Sequence, residues 1–265
     1  ICEIINYKKY NNFKCQGADD HFEFLFFIEK KPSDSIVIES PLNYTGSKSK
    51  MVGFIKSQLP SGNIDTFIDA FGGGFNVGVN IDANKIIYND INPFVEGLIR
   101  SFYSEPCSYL QYIEKQIKKY NLSPDNKKGF LQLREKYNSI PVNKRDPRML
   151  YTLILYGFQQ QIRFNTNWGF NNPAGSRWFN ENLLSKFIAF TRSLQAKNVV
   201  FMNSSFKNLD IQFTPNMFIY ADPPYRSTLG VYNDGKRGFE GWTLEHEQQL
   251  CEFLDIANKH ESKFM

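Results

Sequence analysis

Residues 64–90 read IDTFIDAFGGGFNVGVNIDANKIIYND. A short apolar run, TFID, enters three consecutive glycines, and a second apolar run, KIIYN, stops at Asp90. Runs of this length, rich in Ile and Phe and bounded by Gly and Asn, predict two buried strands, with GFNVGVN placed to start a helix between them. Such a β-loop-α-β unit belongs to an open α/β sheet, whose ligands bind at the carboxyl ends of the strands. Three glycines there let a ligand approach the backbone closely, and an acid ending the second strand can accept hydrogen bonds from both hydroxyls of a ribose. Nucleoside binding is what these features share. The glycines do not follow GxGxxG and no GKS or GKT comes after them, which disfavours a nicotinamide dinucleotide and ATP.

Outward from this unit the α/β rhythm lapses and then resumes. Helical spacing of apolar residues predicts helices over about 93–104, 106–120, 126–138 and 146–161. Residues 163–180 are rich in Asn, Gly and aromatics and predict an ordered loop or hairpin. A helix near 180–195, strands at NVVFMN (198–203) and MFIYAD (217–222), and a helix over about 243–260 come next. The unit is thus interrupted by roughly 100 residues, far beyond ordinary loop length, as expected for an inserted domain. Residues 100–180 hold 13 Lys/Arg against 5 Asp/Glu, a net of +8, while the rest carries −4. That concentration marks a candidate polyanion surface. Near the start, HFEFLFFIEKK and SIVIES both look strand-like, with turn residues between them.

The stretch FIYADPPYRS (218–227) ends a core strand on an acid and stiffens the residues just beyond it. An adenine amino nitrogen is a poor nucleophile, because its lone pair is delocalised into the ring. Accepting its two hydrogens pushes the nitrogen toward a tetrahedral, reactive shape. Asp222 supplies one acceptor and the backbone carbonyl of Pro223 can supply the other, held in fixed relation because proline restricts both its own backbone and the residue before it. Tyr225, after Pro224, offers a face for a base that has left the duplex. Upstream, PLNYTGSKSK (41–50) offers Tyr44 to pack on a flat or cationic group and Lys48 to neutralise a carboxylate. Taken singly, each stretch also fits an ordinary turn.

Together, PLNYTGSK, FIDAFGGGF, YNDIN and YADPPY, in that order, resemble the Dam-type DNA adenine methyltransferases, which place a specificity region between the glycine motif and DPPY. The resemblance covers about residues 40–265. It implies a Rossmann-like S-adenosylmethionine-dependent methyltransferase sheet with a mostly helical inserted DNA-recognition domain. The expected division is an N-terminal extension of unknown role (1–40), a catalytic domain (41–100 and 181–265) and an inserted target-recognition domain (101–180). S-adenosylmethionine is the implied cofactor, with Tyr44, Lys48, Asp69, Phe71, Gly72, Gly74, Asp90, Phe206 and Asp222 at its pocket. Asp222, Pro223, Pro224 and Tyr225 are the implied catalytic set. Transfer from a sulfonium is a direct displacement, so the absence of a Cys or Ser nucleophile motif is expected.

Within the insertion, YGFQQQIRFNTNWGFNNPAGSR (156–177) resembles the family's target-reading segment. Arg163 can bind guanine bidentately, Pro173 sits at a base contact, Gln159 lies in the same segment, and Arg148 and Arg177 are candidate phosphate contacts. The likeness extends to enzymes that methylate GATC, although Phe158 and Gln159–Gln161 depart from their pattern. The implied partners are double-stranded DNA and a cognate restriction endonuclease. Enzymes with this motif that act on RNA or protein usually have a short spacing, whereas Gly74 and Asp222 stand 148 residues apart. RNA adenine methylation and a catalytically incomplete DNA-binding fragment are the alternatives.

Cysteines 2, 15, 107 and 251 form no CxxC pair and there are three histidines, so neither a metal site nor a disulfide framework is indicated. No apolar run approaches the roughly 20 residues of a membrane span, and no secretory pattern opens the chain. A cytoplasmic protein, bacterial or phage-encoded, is expected. The first residue is Ile, and ESKFM at the end reads as a strand just beginning. Because the family's sheet continues with further strands and a terminal hairpin, a piece of a longer product, or completion by a second polypeptide, is expected.

Overall fold

Period-two alternation in four short strands sets the architecture. The computed structural model describes residues 37–224 and 242–265, so Tyr225 and the stretch HFEFLFFIEKK lie outside the described residues. A helix α1 (Val52–Ser57) leads into strand β1 (Thr66–Asp69), then β2 (Lys85–Asn89). Helices α2 (Pro93–Ser104), α3 (Pro106–Tyr120), α4 (Lys127–Asn138), α5 (Pro147–Tyr156) and α6 (Glu181–Gln195) come after them. The chain then forms β3 (Val199–Met202), β4 (Met217–Tyr220), α7 (Leu244–Lys259) and β5 (Lys263–Phe264). The strands make one sheet of order β3-β2-β1-β4-β5, and every pairing is parallel. This is the mixed α/β fold, built on a parallel sheet, that the strand pattern predicts.

Side chains divide by strand position. Phe67, Ile86, Tyr88, Phe218 and Tyr220 enter the larger core, whereas Ile68, Ile87 and Ile219 enter a second cluster with Phe206, Phe253 and Ala257. Strands β1, β2 and β4 are thus buried on both faces, which is why these runs are apolar throughout rather than half polar. Helix α7 covers the second face through Phe253 and Ala257.

Helix starts are fixed by side chains that satisfy the unpaired N–H groups of a first turn. Asn92, Asn126, Asp146, Asn180 and Thr243 all accept such bonds, and Pro93, Pro106 and Pro147 occupy positions where no backbone donor is needed. Helix α5 ends at Tyr156, short of the expected 161, because Gly157 takes extended backbone, and the left-handed Gln159 (φ 52°) and Gln160 (φ 56°) beyond it keep the helix from resuming. The segment 163–180 is the expected ordered hairpin, with antiparallel bridges Gly157–Ala174 and Phe164–Phe170.

Two expectations change. GFNVGVN forms only a 3-10 turn at Gly78–Asn80, following left-handed Gly73 and Phe75. The described part of SIVIES, residues 37–40, is not a strand. Asn80 bonds both the N–H and the carbonyl of Ile38, and Asn76 accepts from the Ser40 N–H, so side-chain amides stand where a neighbouring strand would. Cys107 is disulfide-bonded, which the cysteine spacing gave no reason to expect, and Cys251 is an exposed free thiol.

The inserted helices share the larger core with the sheet. Phe102 of α2 lies at its centre, meeting Tyr109 of α3, Tyr151 of α5 and Phe187 of α6 edge-on at ring-centroid distances of 4.9–5.2 Å. At the sheet's β3 edge, Arg100 bonds Glu96, donates to the carbonyl of Phe201 (3.1 Å) and lies over its ring. The Tyr151 hydroxyl is fully buried without a hydrogen-bond partner. Tyr151→Phe removes an unsatisfied polar group and keeps the ring, so it is expected to stabilise the fold by about 1 kcal/mol. Thermal unfolding should show a rise of about 2–4 °C.

Candidate active site

Strand β1 lies between β2 and β4, and the chain leaves it toward opposite sides of the sheet, so the carboxyl ends of β1 and β4 flank a topological switch point. Parallel register brings Asp69, which pairs with Tyr88 and Tyr220, level with the ends of both neighbouring strands. Asp90 follows β2 by one residue and Asp222 follows β4 by two. All three acids line one cleft with Tyr44, Thr45, Gly46, Ser47, Lys48, Phe71, Gly72, Gly73, Gly74, Asn76, Val77, Ile91, Tyr220 and Pro224.

The glycine loop forms a wall of this cleft, shaped by its neighbours. Gly72 donates to the Asn89 carbonyl (2.7 Å), and its Cα faces the Tyr88 ring so closely that any side chain would overlap it. The Tyr88 hydroxyl donates to the Gly73 carbonyl (2.8 Å). Gly73 is left-handed (φ 47°), and a Cβ there would come within 2.9 Å of the Tyr44 ring. Glycine is therefore needed at both positions, for space at one and for conformation as well at the other.

Each acid meets a different electrostatic environment. Asp90 accepts from the Gly73 and Asn92 N–H groups, both at 2.8 Å. Asp222 pairs with Lys48, whose ammonium also donates to the Gly46 carbonyl. Asp69 is 2 % exposed, and burial raises its carboxyl pKa to about 7, against the lowering effect of the Gly78 N–H, with Asp222 and Asp90 adding to the rise.

Of the residues expected at the cofactor pocket, Tyr44, Lys48, Asp69, Phe71, Gly72, Gly74, Asp90 and Asp222 line the cleft, and Pro224 joins them. Phe206 sits behind Phe71 in the second core cluster, ring centroids 5.3 Å apart, and also meets Trp242 and Phe253. Pro223 immediately precedes Pro224 but is not among the lining residues. The reading of the sequence did not single out Gly73, Asn76, Tyr88 or Tyr220. Tyr88 could have been found from its place two residues before Asp90, since alternation puts it on the same face as Ile86.

The candidate DNA-contacting residues gather on the hairpin, apart from Arg148. Arg163, Pro173, Gln159 and Arg177 are exposed, as are Phe158 and Trp178. Phe158 donates to the Pro173 carbonyl (2.8 Å), which brings the two ends of the segment together. Arg148 instead pairs with Asp146 through two nitrogens and lies over the Tyr112 ring at 4.9 Å. The hairpin rests on the start of α2, where Phe94 stacks with Phe164 (4.3 Å) and meets Trp168 (5.3 Å).

Residues 44–265 match the D12 class N6 adenine-specific DNA methyltransferases. The chain belongs to this family. It is 37% identical over 281 residues to modification methylase StsI of Streptococcus sanguinis, an alignment spanning 98% of the chain and 42% of that relative. Its identity to the type II methyltransferase M.FokI of Planomicrobium okeanokoites is 38% over 273 residues, spanning 95% of the chain and 41% of that protein. A DNA adenine methylase of Vibrio cholerae is 27% identical over 223 residues, 82% of the chain and 75% of its own length. The chain thus spans about two fifths of the length of the first two relatives. The similarity to Dam-type sequences read from the motifs agrees with this family. Among the described residues no helix is long and apolar enough to cross a membrane, and no group of three or more His, Cys, Asp or Glu is arranged to hold a metal ion.

Unfolded Asp69 ionises near 3.8, but in the fold it keeps its proton to about pH 7. Between these values the folded state holds the extra proton, so stability falls as pH rises and the loss is complete above about pH 7. Asp69→Asn cannot ionise. It is expected to flatten the dependence of Tm on pH from about 4 to 7, removing a slope of up to about 1.4 kcal/mol per pH unit.

Proposed function

We propose that the chain transfers a methyl group from S-adenosylmethionine to the exocyclic amino nitrogen of an adenine turned out of duplex DNA. The observation that carries this reading is the meeting, in one cleft at the switch point, of Asp222 and Pro224 with the glycine loop and Asp90. Family membership supports it.

The cleft suits the cofactor's chemistry. Two carboxylates, a third carboxyl at Asp69 that holds its proton to about neutrality, and one ammonium line it, a balance favourable to a ligand with a sulfonium and an ammonium, while Lys48 can meet a carboxylate. Close backbone approach at Gly72 and Gly73 leaves room that a side chain would fill. Asp90 and the loop around Gly74 are the residues that would hold the nucleoside and methionine portions, with Tyr44 packed beside the loop. When bound, the cofactor supplies an electrophilic methyl on sulfur. The Asp222 carboxylate and the Pro223 carbonyl accept the two amino hydrogens and orient the nitrogen lone pair. Tyr225 is assigned the stacking face for the extruded base.

Residues 101–180 are assigned target recognition, with Arg163, Pro173 and Gln159 toward the bases and Arg177 toward phosphate. Their exposure on one hairpin supports this. Arg148, already engaged by Asp146, is the weakest of the set. Phe206 is assigned support of the adenine side of the pocket through Phe71. Relatives named as modification methylases and as a type II methyltransferase support a cognate restriction endonuclease as partner, and a cytoplasmic site of action follows from that role.

Incubation of the chain with tritiated cofactor and duplex DNA is expected to label adenine. Asp222→Ala should lower incorporation by on the order of 10²-fold or more, while filter binding of DNA changes little. Binding without incorporation by the parent chain would defeat the enzymatic reading, and labelling of folded RNA in place of duplex DNA would move the substrate to RNA.

A further inference from the structure

The Asn43 side-chain amide donates to the Gln159 carbonyl at 2.7 Å, a polar contact that spans 116 positions of sequence and ties the recognition hairpin to the segment entering the cofactor cleft. Both ends are suited to transmit a change. Asn43 directly precedes Tyr44, which lines the cleft and whose ring borders Gly73 and Gly74. Gln159 and Gln160 are consecutive non-glycine residues in left-handed backbone, a sparsely populated conformation held only where the surroundings over-determine it.

The turn's remaining bonds stay within its own segment. Asn172 donates to the carbonyls of Phe158 (2.9 Å) and Gln161 (3.0 Å), and Gln160 donates to Leu155 (3.1 Å). The lower hairpin is anchored separately, by Asn138 on both backbone groups of Phe170 and by Phe94 on Phe164. The bond from Asn43, itself outside the cleft lining, therefore joins a strained turn to the residue next to Tyr44 of the cofactor wall.

Building on the methyltransferase reading, we propose that Asn43 is a positioning residue that couples the two binding sites. A ligand that fixes Tyr44 also fixes Asn43, and Asn43 holds the Gln159 carbonyl and the recognition turn in the arrangement that meets DNA. Coupling of this kind is reciprocal, so DNA seated on the turn tightens the cofactor site by the same factor.

The test measures the affinity of the unreactive product S-adenosylhomocysteine by calorimetry. It uses the full chain with and without a saturating duplex bearing the site found methylated in cells that express it. The parent is expected to bind several-fold more tightly when DNA is present. Asn43→Ala, which removes the donor, and Asn43→Asp, which keeps the shape but replaces the donor with an acceptor, should each bind the product alone within twofold of the parent. Their enhancement by DNA should fall about fivefold, the worth of one hydrogen bond. An enhancement retained in both variants, or affinity lost equally with and without DNA, would overturn the coupling role. A parent that binds both ligands without enhancement would overturn it too, whereas a parent that binds neither would defeat the methyltransferase reading instead.

Discussion

Parallel register is the constraint on which the site depends. Because β1 pairs in step with both β2 and β4, the carboxyl ends of the three strands lie at one level, and each brings an acid there, Asp69 as the last residue of β1 and Asp90 and Asp222 just past β2 and β4. Like charges so close in a half-closed cleft oppose one another, and the chain answers differently at each. Backbone N–H groups hold Asp90, an ammonium meets Asp222, and Asp69 keeps its proton to about neutrality. The cleft is thereby poised for a positively charged guest, which would take up the electrostatic role that protonation fills at Asp69.

The insertion is tied into this arrangement rather than hung beside it. Phe102 joins three of its neighbouring helices to a core shared with the sheet, and the hairpin stacks on Phe94, four residues after Asp90. Ring packing of this kind resists bending because interiors are close-packed. The surface assigned to DNA therefore keeps a fixed distance from the surface assigned to the methyl donor, as a reaction on a single extruded base requires.

Much of this was legible in the chain itself. Helices α2, α3, α4, α6 and α7 fall within a residue or so of their expected limits, because Asn, Asp and Thr caps and first-turn prolines mark helix starts locally. The strands were visible through short apolar runs ending in Asp or Asn. What could not be read depended on distant partners. The helix expected at GFNVGVN gives way to a turn whose geometry answers to Asp69 and Tyr88, and residues 37–40 find Asn76 and Asn80 in place of a strand. At the site, eight of the nine residues named from motif order line one cleft, while Tyr88 had gone unremarked because its importance lies in a contact between strand and loop. The pairing of Lys48 with Asp222, 174 positions apart, had no local signal at all.

The guanidinium that closes the β3 margin has a consequence for assembly. An open strand normally offers its carbonyl and amide row to any passing chain and so invites edge-to-edge pairing. Here Arg100 occupies the Phe201 carbonyl and shields the adjoining ring, so this border is a poor template for self-association.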